Sequence, residues 1–166
     1  HSFTPVGSTA YGRLFLTLQP LPDGRVLAIG GDEDGTSEAF DPDSGTWRSV
    51  AQMGGSRYSA SSVSMEDGNV LVAGGVSGST VLSSAEVYSA DAGIWVPAGG
   101  MSAPRSSFGL TLASNGRILA TGSWSTLGAA GSSESVCPCD LTWRDEEPMS
   151  VARGMHGTAT TANGPV

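Results

Sequence analysis

Three tryptophans, Trp47, Trp95 and Trp143, stand 48 residues apart, and a set of chemically unlike residues travels with them. Six residues after each comes a methionine (Met53, Met101, Met149), ten after each an arginine (Arg57, Arg105, Arg153), and nine before each a glutamate (Glu38, Glu86, Glu134). Ten residues beyond the arginines lie Asp67-Gly68, Asn115-Gly116 and Asn163-Gly164. The register also runs backward: Arg13 lies ten residues before Asp23, and Phe3 holds the tryptophan place ten before Arg13. Chance does not hold four unrelated residue types in phase over three copies. A period of this length marks a repeat architecture in which each copy is one supersecondary unit. The first copy is four residues shorter, and the gap falls between the double glycine and the glutamate (GGDEDGTSEAF against GGVSGSTVLSSAEVY), which places the variation in a loop.

Each copy reads as four short strands, so the expected fold is all-β. A segment of small residues follows the arginine, as in 106–113, and leads to an Asp-Gly or Asn-Gly pair, a strong hairpin signal. An apolar run comes next, such as Val70-Leu71-Val72-Ala73, as expected of a strand buried on both faces. The third strand carries the glutamate, as in Glu86-Val87-Tyr88, and a turn such as Asp41-Pro42-Asp43-Ser44-Gly45 leads to the tryptophan strand.

The double glycines Gly30-Gly31 and Gly74-Gly75 (Gly122-Ser123 in the third copy), the aromatic seven residues before the tryptophan (Phe40/Trp47, Tyr88/Trp95) and the arginine opening each copy resemble the kelch repeat family over essentially the whole chain. The third copy departs from the pattern, with Val136 at the aromatic position, where looser packing is expected. The phrase LPDGRVLAIGG is similar to bacterial kelch proteins and to the propeller domain of galactose oxidase. The resemblance implies a β-propeller portion of about 3.5 four-stranded antiparallel blades. The post-arginine strand would be innermost and the tryptophan strand outermost, with the tryptophans packed between blades. The blades expected are 13–56, 57–104 and 105–152, with 1–12 giving the outer strand of a partial blade and 153–166 the first strand of another. A start at His1 and a stop at a hairpin turn are expected of a trimmed chain or a portion of a larger propeller; a homodimer closing the ring is the second expectation.

Charge excludes several functions. The net charge is −8, arginine is the sole long cation, and lysine is absent, so no basic stripe exists for nucleic acid or an anionic membrane. No apolar run is long enough for a transmembrane helix, and no signal peptide is seen. Arginine in place of lysine points to a GC-rich bacterial source, and the resemblance to an extracellular or cell-surface location.

No cofactor or metal is expected. There is no G-x-S-x-G elbow, dinucleotide cradle or P-loop. Galactose oxidase holds copper with two tyrosines and two histidines, one tyrosine crosslinked to a cysteine. Here Tyr88 falls at a structural position, and Cys137-Pro138-Cys139 falls on an outer turn away from His156. A bridge between cysteines two apart is disfavoured, so the pair reads as small turn residues. The acidic loop Asp32-Glu33-Asp34-Gly35 lacks EF-hand spacing and reads as solvated.

The face bearing the loops that enter the innermost strands is the remaining candidate. Arg13, Arg57, Arg105 and Arg153 recur there, with Tyr58, Phe108 and His156 close in sequence. Arginine binds carboxylates through two parallel bonds, and aromatics add stacking area. Because the arginines belong to the repeat, they serve equally well to hold blades together through carbonyls or the repeated glutamates. The functional expectation is a non-catalytic scaffold binding a protein or glycan through this face. The alternative is a portion of a carbohydrate-active or galactose-oxidase-like enzyme whose catalytic residues lie elsewhere.

Overall fold

The computed structural model describes residues 6–125, 128–161 and 164–165, and every regular element in them is a β-strand. Three antiparallel four-stranded sheets follow one another along the chain. The first holds β1 (Thr17–Pro20), β2 (Val26–Ile29), β3 (Ser37–Asp41) and β4 (Thr46–Ser49) in that order. The second holds β5 (Ser61–Ser64), β6 (Val70–Ala73), β9 (Ser84–Ser89) and β10 (Ile94–Gly100), with a small hairpin of β7 (Val76–Ser77) and β8 (Thr80–Val81) between β6 and β9. The third holds β11 (Gly109–Leu112), β12 (Ile118–Ser125), β13 (Gly128–Val136) and β14 (Trp143–Glu146). A further antiparallel pair, β15 (Thr160–Thr161) and β16 (Gly164–Pro165), follows the third sheet. His1, Phe3 and Asn163 lie outside the described residues.

The turns form for local reasons that repeat. In each first hairpin the Asp or Asn side chain accepts the N–H two residues on: Arg25 to Asp23, Asn69 to Asp67, Arg117 to Asn115, at 3.0–3.1 Å. The glycine that follows takes positive φ, and the turn is closed by paired backbone bonds such as Met65 N–H to the Asn69 carbonyl (2.8 Å) and Gly68 N–H to the Met65 carbonyl (3.0 Å).

The β1, β5 and β11 strands converge. Thr17 Oγ1 meets Ser62 Oγ at 2.6 Å, and Ser61 Oγ donates to the Phe108 carbonyl at 2.6 Å. Small side chains permit this crowding. Outward from there, the fully buried β6 divides its side chains between two cores. Val70 and Val72 join Leu27, Ile29, Met53 and Tyr88 between the first and second sheets. Leu71 and Ala73 join Met101, Phe108, Ile118 and Ala120 between the second and third. Alternation along one strand thus seals two seams, and the repeated methionine fills each seam.

The tryptophans lie on the far strands, directly opposite the residue seven before: Phe40 with Trp47, Tyr88 with Trp95, Val136 with Trp143. The two aromatic pairs have ring centroids 5.1 and 5.2 Å apart. All three are half-buried, and Trp95 and Trp143 pack against the seams, so they cover the cores more than they fill them. Val136 is fully buried against this seam.

The double glycines sit where one sheet's backbone meets the next. At Gly74 (φ +62) a Cβ would lie 2.3 Å from the Arg105 carbonyl oxygen and 2.9 Å from Phe108 Cε1. Gly116 (φ +77) has open space around the same position. Gly74→Ala is therefore expected to cost about 3 kcal/mol and Gly116→Ala about 1 kcal/mol, backbone strain alone, in urea unfolding. Equal losses would contradict the close approach.

Candidate functional site

Three of the recurring arginines, Arg13, Arg57 and Arg105, are each built into a lock of the same design. Arg105 donates from Nη1 to the carbonyls of Gly122 (2.8 Å) and Ser132 (2.9 Å) and from Nη2 to Glu134 Oε1 (2.9 Å). Arg57 does the same with Gly74 (2.9 Å), Ser84 (3.0 Å) and Glu86 (3.0 Å), and Arg13 with Gly30 (2.8 Å), Thr36 (2.9 Å) and Glu38 (2.7 Å). The second oxygen or face of each glutamate takes a backbone N–H from the segment entering the sheet: Ala10, Gly54 and Ser102, at 2.6–2.8 Å. The arginine's own carbonyl accepts from the preceding sheet, Gly31 N–H to Arg57 (2.9 Å), Gly75 N–H to Arg105 (2.8 Å) and Ser123 N–H to Arg153 (3.0 Å).

These bonds answer the choice left open by the arginines. The guanidinium groups of Arg13, Arg57 and Arg105 are sequestered, with side-chain exposures of 3, 5 and 1%, and their forks are filled by carbonyls and carboxylates. They have no free geometry for a ligand carboxylate. Phe108 is likewise buried in the seam between the second and third sheets. The acidic loop is not simply solvated either: Asp32 is buried, accepts from Arg13, Gly35 and Thr36, and so caps the first lock. Burial alone would raise the Asp32 carboxyl, but hydrogen bonds from Thr36 and Gly35 and the Arg13 charge outweigh it and hold it below the usual carboxylate range.

The remaining candidates are accessible. Arg153 is exposed. Tyr58 is half-buried, its backbone paired with Val76, and its phenol is raised by desolvation and by the charges of Glu33, Asp32 and Asp34. His156 is half-buried, with Nε2 3.0 Å from Thr121 Oγ1, and it shares a cavity wall with Arg153. Burial, then the Arg153 charge, lowers the imidazole below its ordinary range.

A feature without a residue-type signature joins the sheets beside the segments that enter β1, β5 and β11. Phe15, Ser59, Ser107 and Met155, each two residues after a repeat arginine, all adopt positive φ (47–55°). Their backbones form a relay: Ser59 N–H to the Phe15 carbonyl (3.0 Å), Ser107 N–H to Ser59 (2.9 Å), Met155 N–H to Ser107 (2.7 Å). The left-handed turn lifts these side chains out of the sheets, and they line a concavity of about 690 Å³ together with Leu16 and Trp124. Phe15, Met155 and Trp124 are 71, 69 and 44% exposed. Among the described residues, none that lines this concavity is charged. The β7–β8 hairpin and the end of β12, at Trp124 and Ser125, supply part of its wall.

Among the described residues, one trio of metal-type ligands, Cys137, Cys139 and Asp140, lies within 4.8 Å. The two sulfurs are bonded to each other, so the cysteines are a disulfide in the β13–β14 turn and not merely two small turn residues. Tyr88 is buried in the core, far from any role as a ligand.

Two outcomes follow from these environments. Glu134→Ala leaves the Arg105 guanidinium buried without its carboxylate and is expected to cost about 3–5 kcal/mol in chemical denaturation, whereas removing the exposed pair through Asp23→Ala should cost under about 1 kcal/mol. Because the folded His156 binds a proton less readily than the unfolded chain, its contribution is present above the unfolded pKa and is lost as pH falls through the ordinary histidine range toward the folded value. Replacing His156 with Gln should flatten that part of the stability–pH curve; an unchanged curve would count against it.

A family model for the kelch motif matches residues 56–102. A search of curated proteins finds no match to the chain. The matched segment runs from the residue before Arg57 to the residue after Met101 and contains the entire second sheet. The sheets before and after it repeat its buried arginine–glutamate lock, its backbone stitch to the neighbouring sheet and its positive-φ residue. The second sheet thus matches the kelch motif, the sheets on either side repeat its structure, and the whole is an all-β fold consistent with a portion of a kelch-type propeller.

Proposed function

We propose that the chain is part of a non-catalytic kelch scaffold that binds its ligand at the channel mouth, and that the ligand is a glycan rather than a protein. The observation that carries this reading is the exposure of Phe15, Trp124 and Met155 around an uncharged, hydroxyl-bearing concavity. Large apolar groups are rarely left together in water without use. Flat aromatic faces beside serine hydroxyls suit a ligand with both apolar C–H faces and neutral hydroxyls. An acidic peptide would need free cations at the mouth; Arg13, Arg57 and Arg105 are already bonded, and Arg153 does not line the concavity. Their burial makes Arg13, Arg57, Arg105 and Phe108 supports, while Tyr58, Arg153 and His156, which are accessible but outside the concavity's lining, are rim residues at most. A second copy completing a ring through the relay ends at Phe15 and Met155 would enlarge the mouth and leave its chemistry the same.

The test is a screen of immobilised neutral oligosaccharides and of peptides, followed by tryptophan fluorescence titration of any hit. Trp124→Ala is expected to weaken binding of the hit at least about tenfold while leaving the thermal midpoint within a few degrees. A peptide-only hit would replace the glycan with a protein ligand, and a glycan hit indifferent to Trp124→Ala would move the site away from the mouth.

A further inference from the structure

The two cysteines lie in the turn between β13 and β14, at the end of the third sheet remote in sequence register from the channel-mouth residues. The equivalent turns open on Asp41 and Ser89, whose side-chain oxygens accept the N–H of Asp43 (2.9 Å) and Ala92 (3.3 Å). Cys137 takes the same place, and its Sγ accepts the Cys139 N–H at 3.3 Å. The turn is closed without the bridge: Leu141 N–H donates to the Cys137 carbonyl at 2.8 Å, and Val136 pairs with Trp143 across it. The disulfide therefore fastens no two elements that the backbone does not already join. A ring this small also removes far less denatured-chain entropy than one closing a long loop. As a structural staple it has little to hold.

Its surroundings fit chemistry better. Cys139 is exposed and Cys137 half-buried. Both border a groove of about 440 Å³ whose other wall carries Met65, Glu66 and Asp67 from the β5–β6 turn. Asp140 brings a third carboxyl group within 4.8 Å of the sulfurs. Among the described residues, no arginine lines this groove. A concavity with carboxylates of one sign attracts cationic reagents and repels anionic ones.

We propose that Cys137–Cys139 is a reversible thiol–disulfide exchange site, selective for thiols that carry a positive group. An incoming thiolate attacks the exposed Cys139 Sγ. The Sγ–Sγ bond breaks, and its electron pair leaves on Cys137 Sγ, where the Cys139 N–H steadies the charge. A second thiol then attacks the mixed disulfide at the reagent's sulfur and releases the Cys139 thiolate. Solvent protonates the two thiolates; the two reagent thiols leave as their disulfide, and the protein has gained two electrons. Disulfide-bearing reagents reverse the sequence and restore the bridge.

The test uses the intact folded protein at low salt with cysteamine, 2-mercaptoethanol and thioglycolate at matched thiolate concentrations, with protein thiols counted by alkylation and mass spectrometry. Cysteamine is expected to reduce the bridge fastest and thioglycolate slowest, over a span of about tenfold or more. The span should shrink toward parity in about 1 M salt and in a Glu66→Gln/Asp67→Asn variant. The first adduct should form on Cys139, circular dichroism should show the sheets intact after reduction, and cystamine should re-form the bridge. Equal rates for the three reagents, reduction no faster than global unfolding, or failure to re-form the bridge would each overturn the proposal.

Discussion

The buried arginine–glutamate lock is the constraint on which the rest of the structure depends. In each sheet one guanidinium ties the first glycine of the pair, the carbonyl opening the third strand and the glutamate on that strand to the segment entering the sheet. Removing charges from water is costly, and the cost is met here only because every nitrogen of the fork has an acceptor at 2.7–3.3 Å. Lysine presents a point charge and could not fill that fork. The arginine is placed where a missing partner would leave an uncompensated charge in the seam, so the lock works as a specifier of register as much as a source of stability.

The lock also positions the candidate site without belonging to it. Fixing the arginine fixes the residue two positions later, where the chain makes its left-handed turn and passes a hydrogen bond to the next sheet. Because the backbone does the joining, the side chain there is released from structural duty, and the four copies carry Phe, Ser, Ser and Met. Variable side chains on an invariant backbone relay are what a binding face on a rigid scaffold requires. The same logic applies at the loops: the β7–β8 hairpin and the end of β12, which the shorter first copy lacks, border the concavity.

The hairpin turns, the doubly buried strand and the close backbone approaches were legible because they rest on residue types with one physical use each: Asp-Gly and Asn-Gly for tight turns, a continuous apolar run for a strand buried on both faces, glycine for close backbone approach. The arginines were legible as a recurrence but ambiguous in use, since a fork that fits a ligand carboxylate fits Glu86 or Glu134 equally well; only their burial decides it. Phe108 looked accessible beside Arg105, yet the positive φ of Ser107 turns it inward against Gly74. The mouth residues escaped notice because left-handed backbone at Phe15, Ser59, Ser107 and Met155 has no side-chain signature. Asp32 read as loop acidity because its partner, Arg13, lies across the sheet. The disulfide went unread because neighbouring cysteines seldom bridge, and only the turn's fold brings their sulfurs together.

The most direct test of the lock is proton exchange at the arginine side chains, measured by nuclear magnetic resonance on the Nε–H groups. Arg57 and Arg105, whose Nε–H groups point at Glu86 and Glu134, should exchange orders of magnitude more slowly than the exposed Arg48 and Arg144. Exchange of all four at a common, solvent-like rate would mean that the guanidinium groups are not held, and the account of how these blades are joined would fail with them.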